Sequence, residues 1–430
     1  MTNTAILILL VVFFGMLIFG VPICYAMLAS AVITMSYLGL SMNLLISTLI
    51  DGIDGFTFLA VPFFVLAGEI MGQGGIAKRL IVLANAMVGW MRGGLAQVNI
   101  VASTFFGGIS GSALADTASL GSILIPMMKE EGYDGEFSTA ITMTSSVQGL
   151  LIPPSHNMVI YSMAAGGLSI SALFMAGLTP GLLLGLALMI YTYFISKKRN
   201  YPKGEKFSVK RFLHASSDAI WGLGTVIVVV VGVLTGWYTA TEAAAVACLW
   251  ALIVSFVFYR EIKFKAIFGI FSAAVKSFAS VLLLCAAAGT FGFVISYLRI
   301  PKLVADAFLT LTANKYIILL LINLLILLLG MITGMSSIII ITTPILLPVL
   351  SAVGVSPIQY GAILILNCGI GLITPPVGGV LFMGSSISGI KIERLIKETF
   401  PQLLVMIVVL MLVTYIPAIS LWPQMIGWLG

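Results

Sequence analysis

The chain has 430 residues, 60% of them hydrophobic and 8% charged, with a formal charge of +6. That composition excludes a soluble globular domain and describes a polytopic membrane protein. Only His156 and His214 are present and the four cysteines (Cys24, Cys248, Cys285, Cys368) sit singly in apolar sequence, so metal and redox readings find no support; the lack of a GxxxxGK[ST] run excludes a P-loop ATPase.

From the amino end, Thr4 to Ile50 carries no charged residue, and neither do Phe137 to Ser196 and Tyr316 to Ile390. At about 20 residues per crossing these stretches fold back repeatedly, and about a dozen membrane elements are expected. The first segment has no basic n-region and no small-residue cleavage site, so it reads as a retained helix. Ser41 to Ile50, followed by Asp51 and Asp54, predicts an interfacial arm; Arg260, Glu261, Lys263 and Lys265 are expected to begin its counterpart later in the chain. Gly94 to Phe106 is an apolar run of only thirteen residues before Gly107, Gly108, Ser110, Gly111 and Ser112. Thirteen helical residues cover about 20 Å, short of a roughly 30 Å hydrocarbon core, so a re-entrant hairpin with its tip near mid-membrane is predicted. The next apolar helix is broken at Pro153-Pro154, whose rings remove two amide donors.

Lys197, Lys198, Arg199, Lys203, Lys206, Lys210 and Arg211 then concentrate positive charge in the longest hydrophilic segment, which the positive-inside rule places in the cytoplasm. After it the pattern recurs. Gly-Leu-Leu-Ile-Pro-Pro from Gly149 returns as Gly-Leu-Ile-Thr-Pro-Pro from Gly371, a separation of 371 − 149 = 222 residues. In the same register Pro126 falls on Pro348, Gly132 on Gly354, Gly108 on Gly330 and Gly167 on Gly389. Gly74 to Lys78 also resembles Arg299 to Lys302 after a small gap, each preceding an apolar helix. Ile317 to Leu329 is again thirteen residues, ahead of Gly330, Thr333, Gly334, Ser336 and Ser337, and Pro375-Pro376 breaks the following helix. Two apolar halves with matching breaks are the mark of a transporter core, and an odd number of crossings per half would invert the second half and place both termini opposite the basic loop, outside the cytoplasm.

A hairpin tip facing a broken helix offers carbonyls at C-terminal half-helix ends, donors at N-terminal ends, and hydroxyls between them. Two cation sites flanking one substrate site are therefore expected: Ser103, Gly108, Ser110, Ser112, Ser145, Ser146, Gly149 and Pro153 in the first half, and Gly330, Thr333, Gly334, Ser336, Asn367, Gly371, Thr374 and Pro375 in the second. An oxygen-rich, carboxylate-poor lining suits sodium; intramembrane candidates for proton coupling are few, namely Glu69, Asp116, Glu242 and Asp306. Asp116 faces Ile338 in the repeat and reads as a structural carboxylate beside the tip, and Glu242 as a capping or pairing group. Two other readings exist. Gly108-Ile109-Ser110-Gly111 has the GxSG form of an intramembrane serine hydrolase with His156 as base, but the repeat sets Ile332 opposite Ser110 and this reading leaves the duplication unexplained. The other is a passive channel.

Gly111 to Ala118 (Gly-Ser-Ala-Leu-Ala-Asp-Thr-Ala), Ile152 to Ser155 (Ile-Pro-Pro-Ser), Thr239 to Ala245 (Thr-Ala-Thr-Glu-Ala-Ala-Ala) and Ile373 to Gly378 (Ile-Thr-Pro-Pro-Val-Gly) resemble the large membrane subunit of the tripartite ATP-independent periplasmic (TRAP) transporters. The likeness covers the whole chain and is greatest to sialic acid systems, with dicarboxylate and sugar-acid systems sharing the same motifs. It implies an all-α, inverted-repeat, elevator-type transporter in a bacterial inner membrane that imports a carboxylate-bearing solute with sodium. It also implies two partners: a small four-helix membrane subunit, expected as a separate chain, and a soluble periplasmic substrate-binding protein. Carried onto this sequence, residues 94–196 and 303–430 would form the moving domain, 1–93 and 216–302 the scaffold, and 197–215 the cytoplasmic loop. Substrate contacts would come from Ser110, Ser112, Ser155, Ser336, Ser337 and Thr374. No Arg or Lys stands beside either tip, so an anion would rely on helix amino ends and on the bound cations.

Overall fold

The computed structural model describes residues 2–312 and 314–427, with Ile109 described by its backbone alone; residues 428–430, at the end of the 303–430 segment expected above, lie outside the described residues. Within that range every regular element is helical, and the sole strand-like pairing among the described residues is one antiparallel bridge between Arg92 and Lys203. Seven helical segments are long and apolar enough to cross a membrane. The all-α polytopic class read from composition is the one observed.

The first half begins with α1 (Thr2–Ile18) and α2 (Ile23–Tyr37), which pack on each other after a break at Gly20 to Pro22. A ten-residue helix, α3 (Met42–Asp51), follows, capped by the Ser41 hydroxyl, which accepts the Asn43 N–H at 3.2 Å. Then come α4 (Ala60–Gln73), α5 (Ile76–Val88), α6 (Gly94–Ser110), α7 (Ala113–Glu130), α8 (Gly135–Gln148), α9 (His156–Ala164) and α10 (Ile170–Lys198). The second half runs α11 (Val209–Leu234), α12 (Ala240–Ile253), α13 (Ile267–Tyr297), α14 (Ile300–Leu311), α15 (Lys315–Gly330), α16 (Met335–Ala352), α17 (Pro357–Leu372), α18 (Gly379–Ser388), α19 (Ile392–Tyr415) and α20 (Ala418–Met425).

The repeat is visible in the backbone. α6–α7 and α15–α16 are hairpins, and α8–α9 and α17–α18 are helices interrupted at the double prolines, both of which are cis. Pro126 and Pro348 lie inside α7 and α16. Gly132 and Gly354 turn each hairpin into its broken helix at φ +87° and +70°, a region L side chains rarely occupy. The looser match upstream also has a structural counterpart: Gly75 and Arg299 are the left-handed N-caps of α5 and α14.

The basic segment at Arg260 to Lys265, expected to begin the second arm, follows the helical run that ends at Phe258. It passes through a short 3-10 turn, Phe264–Ala266, directly into α13, which holds 31 residues without a proline and so runs ~46 Å, well beyond one crossing. The repeat register also slips at the hairpin: the backbone contact that Gly330 makes with Gly371 is made in the first half by Gly107 with Gly149, not by Gly108.

At the end of α10 a polar clamp ties the two repeats. Arg199 reaches Asp134 Oδ2 at 3.0 Å, before α8, and Glu398 Oε1 at 2.8 Å, on α19; the Tyr201 hydroxyl donates to Asp134 at 2.6 Å. Burial, and then the bond to Asp134, pushes the Tyr201 phenol up to about 12, so it keeps its proton and remains a donor.

Candidate functional site

Gly107 and Gly149 touch backbone to backbone, and a Cβ on Gly371 would come within 2.6 Å of Gly330 Cα. Only glycine permits such an approach, and it brings the end of each hairpin arm against the freed carbonyls of the opposing broken helix. In the second half the link is also bonded, Val377 N–H to Met331 O at 3.1 Å.

Behind the first contact lies a fully buried polar cluster. Ser103 donates to Asp116 Oδ1 at 3.3 Å and lies 3.1 Å from Ser145 Oγ, and Ser145 is within 3.3 Å of Asn99 Oδ1. Asn99 in turn donates to Thr142 Oγ1 at 2.6 Å. Ser103, Asp116, Ser145 and Asn99 have no exposed surface, and Asp116 Oδ2 has no hydrogen-bond partner. A buried carboxylate oxygen without a donor is costly, and a bound cation is one way to satisfy it. The second cluster has the same plan with different chemistry: Asn367, at the position of Ser145, donates to both Asn323 O and Asn323 Oδ1 at 2.9 Å, and Asn323 donates to Thr414 Oγ1 at 2.9 Å. Asn367 Oδ1 is left without a partner. Asn99 and Asn323 escaped the sequence reading; one asparagine in the first arm of each hairpin, 323 − 99 = 224 residues apart, was the available signal.

Other expected ligands are only partly gathered. Ser146, Thr333 and Thr374 each donate to a carbonyl of their own helix, at Met143 (2.7 Å), Leu329 (3.1 Å) and Ile370 (2.7 Å), which leaves only lone pairs for a ligand. Gly108 faces the Pro153 carbonyl and Val226 of α11. Pro375 is half-buried in the second break. Ser155 is buried with its hydroxyl unpaired, outside the walls of the cavities described next.

A cavity of about 510 Å3 lies between the two hairpin tips. Its walls are the first turns of four helices: Pro22 to Cys24 at α2, Ser112 to Leu114 at α7, His156 and Asn157 at α9, and Gly334 to Ser337 at α16. Ser280 to Leu284 of α13 close one side, with Leu150 and Leu372 on the floor. Of the six expected substrate contacts, Ser112, Ser336 and Ser337 line this cavity; Ser110 and Ser112 line a neighbouring one of about 550 Å3, and Thr374 lines neither. No Arg or Lys is on the wall. The amino ends of four helices stand on the wall instead; those of α2, α9 and α16 have no side-chain cap, while that of α7 is capped by Ser112, and such ends carry the positive pole of the helix dipole.

The hydrolase geometry is missing. Ser110 Oγ engages its own turn, donating to Ser112 O at 3.4 Å and accepting from the Ser112 N–H at 3.3 Å, while His156 packs against Gly111. Glu242 closes a capping box at α12, its carboxylate accepting the Thr239 N–H at 2.8 Å and hydroxyl at 2.9 Å, away from both cavities.

Comparison with known proteins shows what the chain is similar to. The profile of the family described as "Tripartite ATP-independent periplasmic transporter, DctM component" matches residues 10–419. The chain is 38% identical to the sialic acid TRAP transporter large permease SiaM of Vibrio cholerae, covering 95% of each chain. It is 38% identical to the C4-dicarboxylate large permease DctM of Pseudomonas aeruginosa over 88% of each. Against the isethionate permease DctMQ of Oleidesulfovibrio alaskensis the identity is 41% over 94% of this chain but 64% of that protein. Among solved structures, the YdaH transporter of Alcanivorax borkumensis superposes with a TM-score of 0.61 at 18% identity, covering 90% of this chain and 89% of that one, a likeness of fold.

Proposed function

Because the chain belongs to the DctM-component family of tripartite ATP-independent periplasmic transporters, and is a transporter component and not an enzyme, we propose that it is the large permease of a sodium-coupled importer of a small anionic solute in a bacterial inner membrane. A periplasmic binding protein delivers the solute, and a small membrane subunit completes the permease. The solute is held in the 510 Å3 cavity and its charge is met by the amino termini of α2, α7, α9 and α16. That convergence of helix ends in a cavity with no basic side chain carries the reading. Sodium occupies the two clusters behind the tips, and the unpartnered oxygens of Asp116 and Asn367 support this placement.

Residues 94–196 and 303–430 move as one body in an elevator-like step along a scaffold of residues 1–93 and 216–302. The Arg199 clamp, which joins α8, α10 and α19, supports treating the two repeats as a unit. The basic loop 197–215 faces the cytoplasm and the termini face the periplasm. Sialic acid is the solute to test first, with C4-dicarboxylates and sugar acids next, because the relatives reach equal identity with different solutes. The test is uptake of labelled solute into proteoliposomes holding the whole permease, with the binding protein added and a sodium gradient imposed or collapsed. Uptake that follows the inward sodium gradient supports the proposal; uptake that tracks the solute gradient alone replaces it with a passive channel.

A further inference from the structure

The cavity of about 550 Å3 adjoins the solute cavity through shared walls at Ser112, Leu114, His156 and Val281. It is enclosed by Glu69 and Gln73 of α4, Ser277 of α13, and the outer side of hairpin 1 at Phe106, Ser110 and Ser119. Glu69 is the single acidic residue on its wall, His156 is the other titratable one, and the basic residue next along α13, Lys276, is not part of it. Among the described residues Glu69 has no hydrogen bond or ion pair. An ionisable side chain in a membrane-spanning helix that meets no structural partner and lines a cavity is a candidate for a ligand contact or a pathway.

The neighbouring geometry says which. The Ser103, Asp116 and Ser145 cluster has no exposed surface, so a cation needs a route to it. Gly72, on α4 beside Glu69, faces the Ser119 hydroxyl of α7, which sets this part of α4 against the helix that bears Asp116. A carboxylate in a low-dielectric cleft concentrates cations and turns away free anions.

Resting on the sodium reading above, we propose that this cavity is a cation vestibule in which Glu69 holds an incoming sodium ion ahead of the buried hairpin 1 cluster. The carboxylate stands on the proposed scaffold and the cluster on the proposed moving body, so the vestibule forms only when the two are in the relation seen here. Hydroxyls of Ser110, Ser112, Ser119 and Ser277 and the Gln73 amide oxygen supply neutral oxygens beside it.

The experiment uses the whole permease in proteoliposomes and varies sodium at constant solute. Glu69→Gln is expected to raise the sodium concentration for half-maximal uptake roughly three- to fivefold at low ionic strength, with the difference shrinking as choline chloride is added, as a partly exposed charge effect must. The solute half-saturation at saturating sodium stays at the wild-type value. The double variant Glu69→Gln with Gln73→Glu, which moves the carboxylate one turn along the same wall, restores the sodium response. As a readout independent of transport, the sodium concentration that half-maximally raises the melting temperature of the purified chain shifts the same way in Glu69→Gln. An unchanged sodium response at both ionic strengths, or a loss that the swap does not repair, overturns the vestibule. If Glu69→Gln fails to reach the membrane, the swap variant decides alone: a wild-type sodium response supports the proposal and a weakened one overturns it. Wild-type uptake that ignores sodium would defeat the underlying reading instead, so the two failures are distinguishable.

Discussion

The two halves share a backbone plan, yet their polar centres differ in burial and in charge. In the first half the break from Gly149 to Ser155 is buried throughout, and the hairpin arm α7 packed beside it carries a carboxylate, Asp116, whose second oxygen has no donor. In the second half Pro376 and Val377 are exposed, the tip residue Ile332 is 61% exposed, and the place of the carboxylate is taken by Ile338. Duplication thus preserved the features that set main-chain geometry, glycine approaches and double prolines, while side chains diverged. Similar scaffolds with unequal charge would give the two proposed cation sites unequal strength, and the buried, charged one is expected to be the tighter.

The strongest way to break that comparison is Asp116→Ala. Loss of an interaction with a charged group costs about 1.5–3 kcal/mol, so the sodium concentration for half-maximal uptake should rise roughly tenfold to a hundredfold. An unchanged sodium response would remove Asp116 from the cation site. Next in size is the glycine pair. Gly107→Ala forces a Cβ into the Gly149 backbone and should destabilise by about 1–3 kcal/mol or more, seen as a lower melting temperature in detergent. Gly330→Ala meets its nearest atom, Gly371 Cα, at 3.1 Å and should cost clearly less; equal losses would mean the two contacts are equally tight.

Hydroxyl removal sharpens the contrast further. Ser103→Ala deletes a group that contacts both Asp116 and Ser145, and a net loss of about 1 kcal/mol predicts a roughly fivefold weaker sodium response. Thr333→Ala removes a hydroxyl already bonded to Leu329 O and should change it less; a larger effect would make the second site the dominant one. The smallest expected effect is Ser336→Ala, at the solute cavity, which should raise the solute half-saturation about twofold to fivefold while leaving the sodium response at saturating solute unaltered. A shift confined to sodium would reassign Ser336 to the cation site.

Much of the fold was legible because membrane insertion makes hydropathy and helix breaks dominant. Short apolar runs ending in Gly and Ser predicted the hairpins, and Pro-Pro predicted the broken helices. The charged residues at Arg260 to Lys263 do mark the end of one helical run, at Phe258, but the length of the next helix, α13, could not be read from them, since no proline follows to stop it. The one-residue slip from Gly108 to Gly107 was invisible for a different reason: equal spacing along two sequences does not ensure equal rotation about two helices that pack against different neighbours. The hydroxyl-rich tips were legible, but whether a hydroxyl is free or already bonded to a neighbouring carbonyl depends on rotamer and neighbours, as Ser146, Thr333 and Thr374 show.

By itself the sequence determined a polytopic membrane protein, a duplicated core, the two hairpin tips and the two double-proline breaks, and the absence of basic side chains near the tips. These follow from local chemistry: apolar length against bilayer thickness, and backbone groups freed where a ring or a missing Cβ demands it. Only the tertiary structure decided that four helix amino termini face one cavity, that Asn99 and Asn323 complete the clusters, and that Glu69 stands unpaired beside hairpin 1. Those are relations between elements far apart in the chain, set by packing between halves and not by any local pattern.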